Sequence, residues 1–248
     1  MCKLQLRRER NQSDRLVFNG TDLSKLVYCK VRRPVMAPVD ATFESVPGRH
    51  GEMFKSAYRG GYDLPVEIWL RTEDRREVAE MRHRLAAALW TDEPAPLYLP
   101  DDPTRYLLAI VSGSTDLDEI TDDCPTATVT FHVGDPDFYG RKRRVEASAG
   151  DVRVEAGGNR PSRMKVTAKP SGKSAWRITN VDTGEFVEVD AALDPSSTVR
   201  IDMAAERATV NGQNAPVTID SDFFEIDGRC HLMISDGTAI LEWEERWL

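Results

Sequence analysis

The fold is decided by residues 46–113, which read VPGRHGEMFKSAYRGGYDLPVEIWLRTEDRREVAEMRHRLAAALWTDEPAPLYLPDDPTRYLLAIVSG. The segment begins with a tight, charged loop at 47–51 and contains strand-like apolar runs at 64–71 and 105–112. Between these runs lies the one long helical pattern of the 248-residue sequence. Because strands flank the pattern on both sides, we expect a single helix packed on the sheet of an N-terminal β-rich domain.

The predicted helix has a start signal, one apolar face and a stop signal. Asp74 and Glu77 form the capping-box pattern of a helix N-terminus. Apolar residues then recur at three- and four-residue spacing and share one face: Val78, Met81, Leu85 and Leu89. Pro94 and Pro96 end the pattern, because proline lacks the N–H group and clashes with the preceding turn. The sequence therefore predicts roughly four turns of helix.

Composition and charge indicate a soluble globular protein. The chain is 40% hydrophobic and 30% charged, and no window approaches the ~20 apolar residues of a membrane helix. Residues 1–10 are too polar for a signal peptide, so we expect synthesis and retention in the cytosol unless an assembly carries the protein out. A net charge of −8 argues against general nucleic-acid binding. The four scattered cysteines are expected to be free thiols.

The rest of the first half predicts further strands and one long connection. Residues 16–18 enter a turn at Asn19-Gly20, and 27–31 and 126–133 follow as strands. Residues 35–63 are predicted to be loop or long hairpin, and a connection of that length is usually functional. We therefore expect a contact with another subunit there. The basic run 141–144 is interpreted as a hinge, which divides the chain into domains 1–140 and 141–248.

The second half predicts a β-sandwich or jelly roll. Short alternating runs recur at 164–169, 176–181, 186–191, 198–203, 208–210, 223–226, 232–234 and 239–243. Hairpin-type turn dipeptides stand between them at 183–184, 211–212, 227–228 and 236–237. The pattern leaves open whether the last strand, 239–248, packs on the second domain or returns to the first.

No motif of catalysis or metal binding is present. The four histidines have no zinc-ligand spacing, and nucleophile-elbow and dinucleotide-binding motifs are missing. Residues 171–174 read Ser-Gly-Lys-Ser, but the first glycine of a phosphate-binding loop is replaced by Thr167. We expect no enzyme activity, no cofactor and no metal site. A hydrolase with dispersed catalytic residues stays open, since triads are recognised in space.

Several short motifs follow one another along the chain. The first half contains Phe-Asn-Gly…Asp-Leu-Ser at 18–24, Pro-Gly-Arg-x-Gly at 47–51, Asp-x-Pro-x-Arg-Tyr at 101–106 and Gly-Asp-Pro-Asp-Phe-Tyr-Gly at 134–140. The second half contains Gly-Gly-Asn-Arg-Pro at 157–161, Val-Asn-Gly at 210–212, Ser-Asp-Phe-Phe at 221–224 and Arg-Trp-Leu at 246–248. In this order, over nearly the whole chain, they resemble the distal tail protein (Dit) family of long, flexible-tailed bacteriophages.

The resemblance implies a mainly β protein with a structural role. It implies an N-terminal, tail-tube-like β-sandwich with one packed α-helix, and a C-terminal galectin-like β-sandwich. It further implies a homo-hexameric ring that joins the tail-tube protein to a tail-associated or tail-fibre hub protein of the tail tip or baseplate. Receptor-binding proteins attach to the second domain in some relatives. The implied location is the virion tail, after assembly in the cytoplasm of the bacterial host.

The long connection supplies the candidate subunit interface. Aromatic, methionine and arginine side chains are the anchors that interfaces favour, and the candidate residues are Pro47, Gly48, Arg49, His50, Met53, Phe54, Tyr58 and Tyr62. Arg49 is expected to pair with the acidic loop 116–123 of the next subunit. The alternative for the aromatic residues is packing within their own chain.

A carbohydrate-binding β-sandwich module for attachment to the host surface is the alternative function. It would need Trp176 or Trp243 exposed in a groove, so that the indole ring could stack on a sugar. The alternation of the surrounding sequence instead places both tryptophans in the core.

Overall fold

The computed structural model describes residues 15–72, 75–118, 125–172 and 175–248. The chain divides into two units, one ending at Phe138 and joined by Leu248, the other comprising residues 139–247. The division thus falls two residues before the boundary expected at 140.

The first unit contains antiparallel strands and one α-helix. The elements are β1 Val17–Phe18, β2 Thr21–Asp22, a 3-10 turn at Leu23–Lys25, β3 Val27–Val31, β4 Val39–Ser45, β5 Glu52–Arg59, β6 Tyr62–Leu70, α1 Arg75–Leu89, β7 Ala95–Leu99, β8 Asp102–Ser112 and β9 Thr126–Val133. Apart from β4 and β5, the strands of this unit pair in the order β3-β6-β9-β8-β7-β1-β2.

The core of the first unit forms where strands alternate between buried and exposed residues. β6 and β9 pair along their full overlap, which places Leu64 opposite Phe131 and Val66 opposite Val129. All four of these side chains are buried, and the Phe131 ring packs edge-on against Phe18 at 5.1 Å. The strand predicted at 126–133 is therefore confirmed, and its alternate residues Val129, Phe131 and Val133 are buried.

The helix prediction is also confirmed. α1 spans 15 residues, and its four spaced apolar residues, Val78, Met81, Leu85 and Leu89, are buried. The residues between them, such as His83 and Arg84, face water. The proposed N-cap, Asp74, lies outside the described residues.

The second unit consists of strands. They are β10 Phe138–Glu155, which begins at the unit boundary, β11 Lys165–Lys169, β12 Ala175–Asn180, β13 Phe186–Asp190, β14 Val199–Asp202, β15 Arg207–Val210, β16 Gln213–Ala215 and β17 Arg229–Trp247. One set pairs in the order β16-β15-β14-β11-β17 and the other in the order β13-β12-β17. Buried side chains of both sets share a single core, as a sandwich requires.

The hairpin turn predicted at Asp236-Gly237 is wrong, because β17 continues through it. The part before Asp236 pairs with β12, and the part after Gly237 pairs with β11. Gly237 has a φ of +67°, and a Cβ there would lie 1.9 Å from the carbonyl oxygen of Lys169. The dipeptide therefore marks the place where one strand passes between two sets of partners, a known use of glycine in strands.

Two further expectations fail in the second unit. The basic run 141–144 is not a hinge but part of β10, where Arg143 pairs with Glu245 at 2.6 Å and Lys142 with Glu244 at 3.2 Å. Residues 223–226 form no strand and contribute only a single bridge, between Ile226 and Ser162. β17 pairs with β10, β11 and β12, and its residues up to Trp247 belong to the second unit.

Candidate functional site

The β4–β5 hairpin is the most exposed regular structure of the first unit. Within the described residues the two strands pair only with each other and form a separate two-stranded sheet. Every residue of β4 is exposed, and so is every residue of β5 before Arg59. Because an isolated two-stranded hairpin is marginally stable in water, this one is expected to gain a partner.

One face of the hairpin is apolar in its central part, between Arg59 at the base and the Ser45–Glu52 pair near the tip. Directly paired residues lie on the same face, and successive residues alternate between faces. The register, which shifts between Thr42 and Phe43, places five apolar side chains on one face: Val39, Ala41, Phe43, Phe54 and Ala57. The rings of Phe43 and Phe54 meet edge-on at 5.8 Å, yet these residues remain 53% and 61% exposed. We refer to these five residues as the apolar hairpin face.

The opposite face of the hairpin is mostly polar. It carries Asp40, Thr42, Glu44, Ser56 and Tyr58, again from the register. Lys55 pairs with Glu44 at 2.9 Å. The two faces thus differ in composition, although the mostly polar face also exposes Met53 and Tyr58. Contiguous uncovered apolar surface marks a place of protein contact.

The interface residues expected from the sequence fall on three parts of the structure. Pro47, Gly48, Arg49 and His50 form the exposed hairpin tip, where Gly48 has a φ of +82°. Phe54 lies on the apolar hairpin face, whereas Met53 and Tyr58 lie on the opposite face. Tyr62 belongs to β6 opposite Val133 and is buried in its own unit, which also raises the pKa of its hydroxyl. Sequence reasoning missed Phe43, which the alternation of residues 39–45 could have identified.

A groove of about 920 Å³ lies beside the C-terminal end of α1. Its lining is mainly apolar and includes Leu85, Leu89, Ile110 and the exposed Trp90. Asp116, one of the acidic residues expected to face Arg49, also lines this groove. Residues 119–123 of the same acidic loop lie outside the described residues.

The two tryptophans considered for sugar stacking are core residues. Trp176 and Trp243 are buried, and their indole N–H groups donate hydrogen bonds of 2.8 Å to the backbone oxygens of Asp236 and Ala156. Neither ring can therefore stack on a sugar without unfolding of the second unit. This removes the platform on which the carbohydrate-binding alternative depended.

The groups that could support other chemistry have structural surroundings. Burial raises the pKa of the Cys230 thiol to about 11, with a further contribution from the Asp182 carboxylate. The thiol is therefore protonated at neutral pH and a poor nucleophile. Among the residues that the structure describes, no three His, Cys, Asp or Glu side chains are grouped to hold a metal ion. No described helix is both long enough and apolar enough to cross a bilayer.

Known families and structures resemble both units. The family described as "Siphovirus-type tail component, C-terminal domain" matches residues 157–247, and "Phage tail protein RIFT-related domain" matches residues 18–133. No curated protein sequence matches the chain.

Among solved structures, the Dit protein of phage SPP1 superposes with a TM-score of 0.83 at 17% identity, over 94% of this chain and 99% of that one. It is described there as a paradigm of the hub adsorption apparatus in phages that infect Gram-positive bacteria. A chain of the activated phage P2 baseplate with Ca has a TM-score of 0.56 at 9% identity, over 91% and 92% of the two chains. The corresponding baseplate with Sr gives 0.54 at 9% identity, over 90% and 92%.

Proposed function

This chain belongs to the distal tail protein (Dit) family of long-tailed bacteriophages, and from that premise we propose that six copies close into a ring that joins the tail tube to the tail-tip proteins. The protein is a phage tail component, and its place is therefore the virion. Its assembly is expected in the cytoplasm of the bacterial host.

The observation that carries the proposal is the apolar hairpin face. Phe43 and Phe54 expose most of their surface on a hairpin that has no other strand to cover it among the described residues. Removal of such a face from water by a neighbouring copy would be favourable, at about 25 cal/mol per Å² of apolar surface. Self-association through this hairpin is therefore the use that best explains its composition.

A closed ring also requires a second, different surface on each copy. Cyclic rings form by head-to-tail contacts, in which one patch of a subunit meets another patch of its neighbour. We assign the hairpin, with Arg49 at its tip, to the first patch. The acidic edge of the groove that contains Asp116 is our candidate for the second, because its charge is opposite to that of Arg49.

The family match supports a proposal for the partners above and below the ring. We propose that one side of the ring meets the tail-tube protein and the other side meets a tail-associated or tail-fibre hub protein. The second unit, a sandwich with its own core, is a candidate carrier for receptor-binding proteins. Its two buried tryptophans leave no observation in favour of direct sugar binding by those residues.

The molar mass of the purified protein in solution tests the proposal. Light scattering coupled to size exclusion, with and without the tail-tube protein, is expected to reveal a species of six times 27.9 kDa. A mass of 27.9 kDa at every concentration, alone and with the tube protein, would contradict ring formation. A mass that corresponds to a different number of copies would contradict the hexamer but would still agree with ring formation.

A further inference from the structure

An arginine lies on each side of the β4–β5 hairpin, Arg33 before β4 and Arg59 at the end of β5, and each contacts the rest of the first unit. Arg59 is the last residue of β5, and its guanidinium pairs with the carboxylate of Asp137. The two side chains are only 15% and 6% exposed, so water weakens the pair much less than it weakens a surface pair. Asp137 also donates its backbone N–H to the side chain of Asp135 at 3.2 Å, which holds this turn in place.

The second arginine contacts the neighbouring position of the same segment. Arg33 precedes β4, and its guanidinium lies over the Phe138 ring at 4.8 Å. It also pairs with Asp101 at 3.1 Å. The two sides of the hairpin are therefore attached to consecutive residues, 137 and 138, of the Gly-Asp-Pro-Asp-Phe-Tyr-Gly motif.

The backbone at the base of the hairpin is tightly packed as well. A Cβ at Gly61 would lie 2.9 Å from the carbonyl oxygen of Val133 and 3.2 Å from the Cα of Gly134. The chain that leaves Arg59 thus contacts the backbone that opens the motif, and only glycine fits there without a shift. The Arg59–Asp137 ion pair and the backbone contact at Gly61 therefore each restrict movement at the base of the hairpin.

These contacts at the base of the hairpin are important because the hairpin is long and uncovered. Eight residues of strand extend about 26 Å from the base, so a tilt of about 10° at the base moves the tip by about 4–5 Å. Such a displacement is about as large as the distance at which apolar side chains are in contact, about 4–4.5 Å. A hairpin that tilts freely would therefore meet its partner in the correct position only part of the time.

We propose that Asp137 is a positioning residue for assembly, because its ion pair with Arg59 fixes the direction of the hairpin before any partner binds. The contacts of Arg33 with Phe138 and Asp101 act in the same way at the other strand. This role rests on the proposed ring for its purpose, but the fixed direction itself is a property of the single chain. The Gly-Asp-Pro-Asp-Phe-Tyr-Gly motif thereby sets the geometry of the interface without belonging to it.

The test measures the direction of the hairpin in the unassembled full-length protein. Spin labels carried by unnatural amino acids at Ser45, near the tip, and at the exposed Asp92 report the distribution of their separation by pulsed electron resonance. We expect a narrow distribution for the wild type and a broad one for Asp137→Asn. Arg59→Lys, which retains the positive charge, is expected to give an intermediate width. Glu245→Gln removes the acid of the comparable Arg143 pair in the second unit and is expected to leave the distribution narrow.

Assembly is measured on the same variants without labels. If about one hairpin in ten is correctly directed in Asp137→Asn, the concentration needed for assembly rises about tenfold, whereas Glu245→Gln leaves it unchanged. A narrow distribution in Asp137→Asn would overturn the proposal, and so would a broad distribution with unchanged assembly. If the wild type forms no ring, the proposed function is wrong and Asp137 has no role in assembly. The distance measurement still decides whether Asp137 fixes the direction of the hairpin. If Asp137→Asn yields no folded protein, Arg33→Gln provides the same comparison on the other side of the hairpin.

Discussion

Replacement of both hairpin phenylalanines by serine is the most informative single perturbation of the apolar hairpin face. Phe43 and Phe54 are 53% and 61% exposed, so Phe43→Ser/Phe54→Ser removes more surface that a partner could cover than surface that the single chain covers. The loss within the chain comprises the roughly 170 Å² of these residues that the single chain covers, about 4 kcal/mol at about 25 cal/mol per Å², and the edge-on contact of the two rings, about 0.5–1.5 kcal/mol. We therefore expect a folded protein that assembles poorly.

The size of the effect follows from the exposed areas. With about 200 Å² for a phenylalanine, exposed fractions of 53% and 61% leave about 230 Å² for a partner to cover. At about 25 cal/mol per Å², complete coverage contributes about 5–6 kcal/mol to each contact between copies, and half coverage about 3 kcal/mol. Because each 1.4 kcal/mol is tenfold, the concentration at which copies associate should rise by about 100-fold to about 10,000-fold.

Sedimentation velocity over a wide range of protein concentration measures this shift. Phe43→Leu/Phe54→Leu retains most of the apolar area and should associate nearly as the wild type does. Ile219→Ser removes a side chain that is 99% exposed in the second unit and should have no effect. Wild-type association by a folded serine double variant would refute the assignment of this face to the contact between copies.

The remaining predictions concern the hairpin tip and the second unit. Arg49→Glu should prevent ring formation, and addition of Asp116→Arg should restore part of it; size-exclusion profiles that match the wild type for Arg49→Glu would rule the pairing out. Trp176→Ala should lower the free energy of unfolding by about 3–5 kcal/mol, as measured by denaturant titration; a much smaller loss would mean that this side chain is not a core residue. Burial raises the pKa of the Asp202 carboxyl group, but the backbone N–H groups of Ala205 and Ala204 and the Lys165 ammonium lower it by more, so this pKa lies below its ordinary value of 3.8. The stabilisation by the Asp202 carboxylate is therefore present above about pH 4 and is lost as the pH falls through the folded-state pKa. Asp202→Asn should make the melting temperature less sensitive to acid. An unchanged dependence of the melting temperature on pH would contradict this.

Much of the first unit could be predicted from the sequence, because its signals are local. The apolar face of α1 and the alternation of residues 126–133 each depend on side chains within one element, and both were correct. Asn19 and Gly20 both have positive φ, which explains why this dipeptide predicts the β1–β2 turn. Local patterns suffice where an element buries one face against the core of the same unit.

The failures in the second unit arise where the meaning of a pattern depends on distant partners. Asp236-Gly237 has the composition of a hairpin turn, but the same positive φ allows a strand to pass from β12 to β11. From its sequence alone, the basic run 141–144 has the composition of a solvated hinge. In the structure, glutamates of β17 form ion pairs with it. Neither partner lies near in sequence, so periodicity alone could not identify them.

The long connection at 35–63 was predicted to be loop or long hairpin, and it contains the exposed β4–β5 hairpin. Residues 47–58 belong to that hairpin, whereas Tyr62 is a core residue of β6. Phe43 was overlooked although the alternation of residues 39–45 indicates it, whereas its pairing with Phe54 depends on a register shift that the sequence does not reveal. The contribution of these residues to a contact between copies stays a prediction.

Ring formation can be seen in electron-microscope images of the purified wild-type protein. We predict rings with a central hole, in which the β4–β5 hairpin of each copy contacts its neighbour through Phe43 and Phe54. Single particles without a hole, with those two side chains still in contact with water even after addition of the tail-tube protein, would contradict it.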